Sequence, residues 1–159
     1  MKVLNIHTRV INQPKAVIDK LFKTLSTKED KIWPKEKWPA MKFRDGLIQG
    51  ARGGHGPIRY TIKQIIPSEK IEFEFTKPNG FNGIHKLELR SLDGTKTEVK
   101  HTIDADTNIG ASIQWLIGIR WLHDALIEDA FDKIENQFSK EKKKTNWNLW
   151  VRILRKFLK

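Results

Sequence analysis

"KIEFEFTKPNGFNGIHKLELR", residues 70–90, reads as two strands around one turn. Ile71, Phe73 and Phe75 alternate with Glu72, Glu74 and Thr76. His85, Leu87 and Leu89 alternate with Lys86, Glu88 and Arg90. Successive side chains of a strand point to opposite faces, so each segment has an apolar side and a charged side. "KPNGFN" between them is turn chemistry. An antiparallel pair of this kind leaves one face in water and needs an apolar cover for the other.

The alternation continues outward in both directions. "KTEVKHTIDA" (96–105) turns Val99, His101, Ile103 and Ala105 to the apolar side, and "PIRYTIKQII" (57–66) does the same with Ile58, Tyr60 and Ile62. "MKFRDG" (41–46) and "LIQGA" (47–51) are shorter strand-like pieces, with "GGHG", "PSE" and "LDGT" as separators. Near the start, "LNIHTRVI" (4–11) is a further strand. Its two faces are less distinct: Leu4, Ile6, Thr8 and Val10 on one, Asn5, His7, Arg9 and Ile11 on the other. "NQPKAVIDKLFKTLS" (12–26) predicts a helix, with Pro14 in its first turn and Val17, Ile18, Leu21, Phe22 and Leu25 on one stripe. "STKEDKIW" (26–33) predicts a second short helix capped by Ser26 or Thr27, ended by "PKEKWP". From about Gly110 to Phe138 the period turns helical, giving a helix of roughly 28 residues, or ~42 Å at 1.5 Å per residue.

The predicted order is strand, two short helices, six strands and a long helix. It resembles the helix-grip fold of the START/Bet v 1-like (SRPBCC) superfamily. "IWPKEKWPAMKF" (32–43), "GARGGHGPIRYTI" (50–62) and "GFNGIHKLEL" (80–89) are similar to a polyketide cyclase-like or uncharacterised bacterial branch of it. The resemblance spans about residues 3–138. It implies an α+β domain in which a curved antiparallel sheet of about seven strands wraps the long helix, with an apolar ligand cavity between them. It also implies that Ile11 points inward, and His7 and Arg9 with it. The first strand would then neighbour the last, placing His7, His101 and His85 on adjacent strands. One reaction is not implied, because members of a fold differ in chemistry.

Apolar walls and a few placed polar groups make a ligand site. The expected walls are Phe73, Phe75, Leu87, Ile103 and Leu122, with Ile58, Ile62 and Leu126. The expected polar groups are Tyr60, His85 and His101, with Arg9 as the partner of an anionic ligand head if it faces in. An outward Arg9 would instead pair with Asp104 or Glu128. Packed histidines with one hydrogen bond each are the plainer alternative. Arg120, His123 and Asp124 share a helix face, as an ion pair or as a polar patch at the pocket. "GARGGHG" has no following helix, so it is not a phosphate loop. It reads as a gate loop, with Gly53, Gly54 and Gly56 shaping the turn and His55 on the rim. No nearby Ser, Cys or acid makes a nucleophile–base pair with His55, and no metal or other cofactor is expected.

The chain has 159 residues and no cysteine, which suits one domain without disulfides or thiolate chemistry. Its net charge is +11, but residues from 140 onward hold eight Lys or Arg against Glu141 alone. About two-thirds of the charge therefore sits in a tail. Residues 1–139 read as the ligand-binding domain and 140–159 as a basic linker and an amphipathic helix. On that helix Trp147, Trp150, Val151, Leu154, Phe157 and Leu158 form the apolar stripe, and Arg152, Arg155, Lys156 and Lys159 lie mainly opposite. Packing on the body, self-association and a peripheral contact with an anionic membrane all fit it. No nucleic-acid motif is present. "IQWLIGIRWLHDALI" (113–127) is interrupted by Arg120, His123 and Asp124, and the start lacks a signal-peptide pattern, so a cytoplasmic location is expected, peripheral if the tail meets a membrane. The expected function is binding or transport of a small hydrophobic or amphipathic ligand. The alternative is a cyclase, dehydratase or isomerase using a cavity histidine as general acid–base.

Overall fold

A computed structural model describes residues 1–157. Seven strands form one antiparallel sheet in the order β1-β7-β6-β5-β4-β3-β2. They are β1 (Lys2–Ile11), β2 (Lys42–Phe43), β3 (Arg52–His55), β4 (Ile58–Ile66), β5 (Lys70–Lys77), β6 (Phe81–Ser91) and β7 (Thr97–Thr107). The sequence pattern sets the faces. Ile71, Phe73, His85, Leu87, Leu89, Val99, His101 and Ile103 are all buried. On β1 it is the His7 face that turns in: Val3 and Ile11 are buried, while Leu4, Ile6 and Val10 are exposed.

The sheet is covered by helix α2 (Ile109–Gln114), one π turn (Trp115–Ile119) and helix α3 (Arg120–Glu135), which run on continuously. The Asn108 side chain caps the start by accepting from the Ala111 N–H at 2.9 Å. The helix stops at Glu135, short of Phe138. The Asn136 amide turns the chain back, accepting from Lys143 N–H and donating to its carbonyl, each at 2.8 Å.

Three local expectations change. After helix α1 (Lys15–Phe22) there is no second short helix. Residues 26–33 instead wind around Asp30, whose carboxylate accepts from the N–H groups of Ser26, Ile32 and Trp33 at 2.7–2.8 Å. An aspartate that satisfies the backbone in this way competes with a helix. "LIQGA" forms no strand, and "RGGH" forms β3 in its place. The turn is reduced to Gly56 and Pro57, with Gly56 at φ +49°.

Gly53 and Gly54 serve close approach rather than turning. A Cβ on Gly53 would strike the Lys42 carbonyl and the Phe43 ring, and one on Gly54 the Ile58 carbonyl. Gly53→Ala is expected to cost about 1–3 kcal/mol in a denaturant titration, because overpacking displaces neighbours. Gly94, with nothing within 4 Å of a built Cβ, is the control: Gly94→Ala should stay within about 0.5 kcal/mol of the parent.

The tail returns to the body as helix α4 (Leu149–Phe157), which packs on α3. Val151 joins the main core. The Trp147 ring lies 5.3 Å from that of Trp38, and the Arg155 guanidinium sits 4.4 Å over Trp38. The docked face therefore runs through 147, 151 and 155. It shares Trp147 and Val151 with the expected stripe but turns Arg155 toward the body, and Phe157 is 84% exposed. Leu158 and Lys159 lie outside the described residues. Among the described residues no helix is long and apolar enough to cross a membrane.

Candidate functional site

All five histidines of the chain fall in one row through the interior. The row starts at the end of β3, where His55 Nδ1 lies 3.1 Å from Tyr60 Oη and the His55 ring packs on Trp33 at 4.7 Å. Tyr60 meets His85 edge-on, with ring centres 4.6 Å apart. His85 stacks on Phe73 at 4.6 Å and on Phe75 at 4.9 Å. Its Nδ1 lies 3.4 Å from His101 Nε2. His101 is 4.9 Å from His123 across the sheet–helix interface, and His123 is 5.7 Å from His7. The row ends on α3, where His7 Nδ1 and Nε2 lie 2.8 Å from Glu128 Oε1 and 3.0 Å from Asp124 Oδ1.

Strand register builds this row. His85 pairs with Ile103, Leu87 with His101, and His101 with His7, so three adjacent strands each bring one imidazole to the same face. Burial then fixes their charge. It pushes His55 down to about 3 and takes His85 and His101 well below the ordinary histidine value. These rings are neutral at pH 7. Burial also raises the Tyr60 phenol well above its usual value. His7 differs: burial opposes its charge, but hydrogen bonds to Asp124 and Glu128 raise it overall.

The interior is closed. Beneath the row lies a void of about 20 Å³, lined among others by Trp33, Met41, Phe73, His85, Leu87, His101 and Phe131. That is room for about one water molecule. The expected ligand cavity is thus filled by aromatic side chains: the Phe43 and Phe73 rings stack at 5.9 Å, and Tyr60 meets Phe73 at 5.2 Å. Polar atoms in the filled interior remain without partners: His85 Nε2, His101 Nδ1 and both nitrogens of His123. Buried polar groups in native proteins are usually satisfied.

At the His55 end the row reaches an open cleft of about 700 Å³. Lys42, Arg52, Arg59 and Lys77 line it together with His55, Tyr60, Gly53 and Gly54, and no acid does. Four cations around one concavity favour an anionic group.

Of the residues expected at a ligand site, Tyr60, His55, His85 and His101 are joined in the row. Phe73 and Leu87 line the void, and Phe75 stacks on His85. Ile103 belongs to a separate small cluster with Trp115, and Leu122 packs half-buried on the main core. His55 is not an exposed loop tip, because β3 carries it inward onto Trp33. Arg9 faces in, with its guanidinium 5.9 Å over the Phe131 ring, but its charge is matched on α3 and not by a ligand. Its guanidinium donates to Glu128 at 2.8 Å, Glu135 at 2.8 Å and Asp132 at 3.2 Å. Helix α3 supplies the anions that a ligand head was expected to supply. Asp124 does have Arg120 beside it at 3.7 Å, but His7 and Asn5 are closer, each at 3.0 Å. His123, expected with Arg120 and Asp124 as an ion pair or a polar patch at the pocket, lies in the row, while Trp33 beside His55 had no signal in the sequence.

No family model and no curated protein matches the chain in sequence. Solved structures do match in shape. The chain is similar to norcoclaurine synthase from Thalictrum flavum in complex with dopamine and hydroxybenzaldehyde (TM-score 0.66, 8% identity, 89% of this chain and 90% of that one). It is similar to CalU16 from Micromonospora echinospora (TM-score 0.58, 13% identity, 99% and 92%). A START superfamily protein from Mycobacterium smegmatis also matches (TM-score 0.55, 10% identity, 84% and 95%). The chain shares the helix-grip fold of these structures, a seven-stranded antiparallel sheet against a long helix. At these identities the likeness is one of fold.

Proposed function

We propose that the protein binds a small amphipathic molecule, with its anionic head in the basic cleft and its apolar part reaching toward Tyr60 and the histidine row. The carrying observation is the row itself: neutral, partly unpartnered imidazoles that begin at the floor of a cleft lined by four cations. Neutral imidazoles can donate or accept one hydrogen bond each without adding charge to an apolar wall. The closed interior means that entry displaces side chains around Trp33, Met41 and Phe43. The complex of norcoclaurine synthase with two small aromatic molecules supports such use of this fold.

Native mass spectrometry of the purified protein tests the proposal, followed by titration with amphipathic carboxylates and phosphates. The expected result is a bound small molecule whose affinity falls at least about ten-fold in Arg59→Glu and in Tyr60→Ala, since each removes a placed contact. A protein that carries nothing and takes up nothing from the panel refutes it.

A second reading rests on the 3.1 Å contact between His55 and Tyr60, an imidazole–phenol pair that could pass a proton to a bound molecule. On that reading the bound molecule is released chemically changed, and His55→Gln or His85→Ala abolishes the change.

A further inference from the structure

We propose that His7, His123 and Asp124, at the far end of the row, bind one divalent transition-metal ion. The inference goes beyond the ligand reading and does not depend on it. One donor atom from each residue lies within 4.8 Å of the other two. The three come from two rigid elements, β1 and α3.

Asp124 Oδ1 is the focus. His7 Nε2 lies 3.0 Å from it and His123 Nδ1 3.6 Å. Two donors held by one zinc-like ion at about 2.1 Å sit roughly 3.0–3.5 Å from each other, so the existing spacing needs little change. The hydrogen bonds point the same way. His7 Nδ1 lies 2.8 Å from Glu128, which needs a proton on that nitrogen. Nε2 of a neutral His7 then turns a lone pair toward the carboxylate of Asp124. Two acceptors facing each other require a positive charge between them. A proton supplies it in the metal-free chain, and a metal ion would replace that proton. His123 adds an independent observation: neither of its ring nitrogens has a hydrogen-bond partner, although its side chain is only 13% exposed.

The surroundings fit a metal ligand. Glu128 orients His7 through Nδ1, and Arg9 holds Glu128 at 2.8 Å. A carboxylate behind a ligating imidazole is the usual support of such a site. Two imidazoles and one carboxylate suit zinc, cobalt, nickel or ferrous iron better than calcium or magnesium, which prefer oxygen. Three protein ligands leave a coordination position open, on the side where Asp124 is 31% exposed. One feature opposes binding: the Arg120 guanidinium, 3.7 Å from Asp124 Oδ2 and 52% exposed.

Cobalt(II) titrated into the full chain after chelator treatment and dialysis tests the proposal. The expected result is one equivalent bound with a visible d–d band. Asp124→Asn and His123→Asn should weaken binding about ten-fold or more, while Arg120→Ala, at an exposed position, should tighten it. Should the ligand variants fold poorly, the histidine ring signals of the wild-type protein decide: cobalt should shift His7 and His123 and leave His55 largely unmoved. No stoichiometric binding, binding indifferent to Asp124→Asn in folded protein, or ring shifts centred elsewhere would overturn the assignment.

Discussion

Asp129→Ala should lower the melting temperature by roughly 10 °C, from a loss of about 3–5 kcal/mol when a buried charged partner is removed. The Asp129 side chain is fully buried on α3. Its Oδ2 accepts from the indole N–H of Trp38 at 2.8 Å and of Trp147 at 2.9 Å, and its Oδ1 pairs with the Lys37 ammonium. One carboxylate thus ties together the long helix, the "PKEKWP" segment and the tail. Alanine would leave one buried indole donor, one half-buried indole donor and a partly exposed cation without their acceptor, and the desolvation already spent on them would not be recovered. Asp129→Asn keeps the shape and one acceptor oxygen but loses the charge opposite Lys37, so it should fall between alanine and wild type. Trp147→Phe removes a single N–H and should cost about 1 kcal/mol. Thermal melts followed by circular dichroism rank the three. Asp129→Ala within about 2 °C of wild type would mean that the buried cluster contributes little net stability, as some buried ion pairs do.

The same cluster bears on the tail. Composition places a boundary near residue 139, and the lysine run after it is exposed. Beyond the run, Trp147 and Val151 return to the body. A chain ending at Ser139 is expected to fold and melt cooperatively, because sheet and long helix remain. It should melt lower than the full chain, since Val151 leaves the core and Trp147 leaves Asp129.

Alternation made the sheet legible. A period of two with Phe and Ile on one side and Glu and Lys on the other admits one register, and a slip of one residue would expose the core. It also places His85 and His101 inside, where both are buried. β1 was harder, because its more apolar face, Leu4, Ile6 and Val10, is the exposed one, while Asn5, His7 and Arg9 share the inner face with Val3 and Ile11. Its orientation is settled by what α3 offers: Asp124, Glu128, Asp132 and Glu135 give His7 and Arg9 their partners. That acidic ladder is a tertiary fact, as is the filling of the interior, which depends on how Phe43, Tyr60 and Phe73 pack. Where local rules failed, a competing interaction won. Asp30 took the backbone donors that a second helix would have used. β2 approaches Gly53 and β4 approaches Gly54 closely enough to make a strand of a glycine run. On α4, Arg155 over Trp38 outcompeted Phe157 for the docked face.

The neutral histidines give the last and broadest expectation: stability falls steeply as pH drops from 7 to 5. In the unfolded chain a histidine takes up a proton near 6.5. In the folded protein His55 does so only at about 3, and His85 well below 6.5, because burial disfavours the charged ring. Between those values the unfolded state holds the extra protons, so acid favours unfolding. The slope is about 1.4 kcal/mol per pH unit for each such histidine. His55 and His85 together should remove roughly 3–4 kcal/mol between pH 7 and pH 5. His101 is shifted in the same direction and adds to the loss. His7 has the opposite sign: its raised value contributes stability below 6.5 that disappears as pH rises through its folded value. Its contribution is complete once the unfolded histidine is protonated, so it offsets only the upper part of the fall. The carboxylates held low, such as Glu36 beside Lys133 and Glu135 beside Lys143 and Arg9, lose their contribution only once pH approaches the ordinary carboxylate range. The interval from pH 6.5 to 5 therefore reports the histidines. Urea titrations at pH 7, 6 and 5 measure it. His55→Gln and His85→Gln should each flatten the slope by about 1.4 kcal/mol per unit, whatever they do to stability at pH 7. An unchanged slope in both variants would show that these rings take up protons in the folded protein, and that the filled interior opens to water.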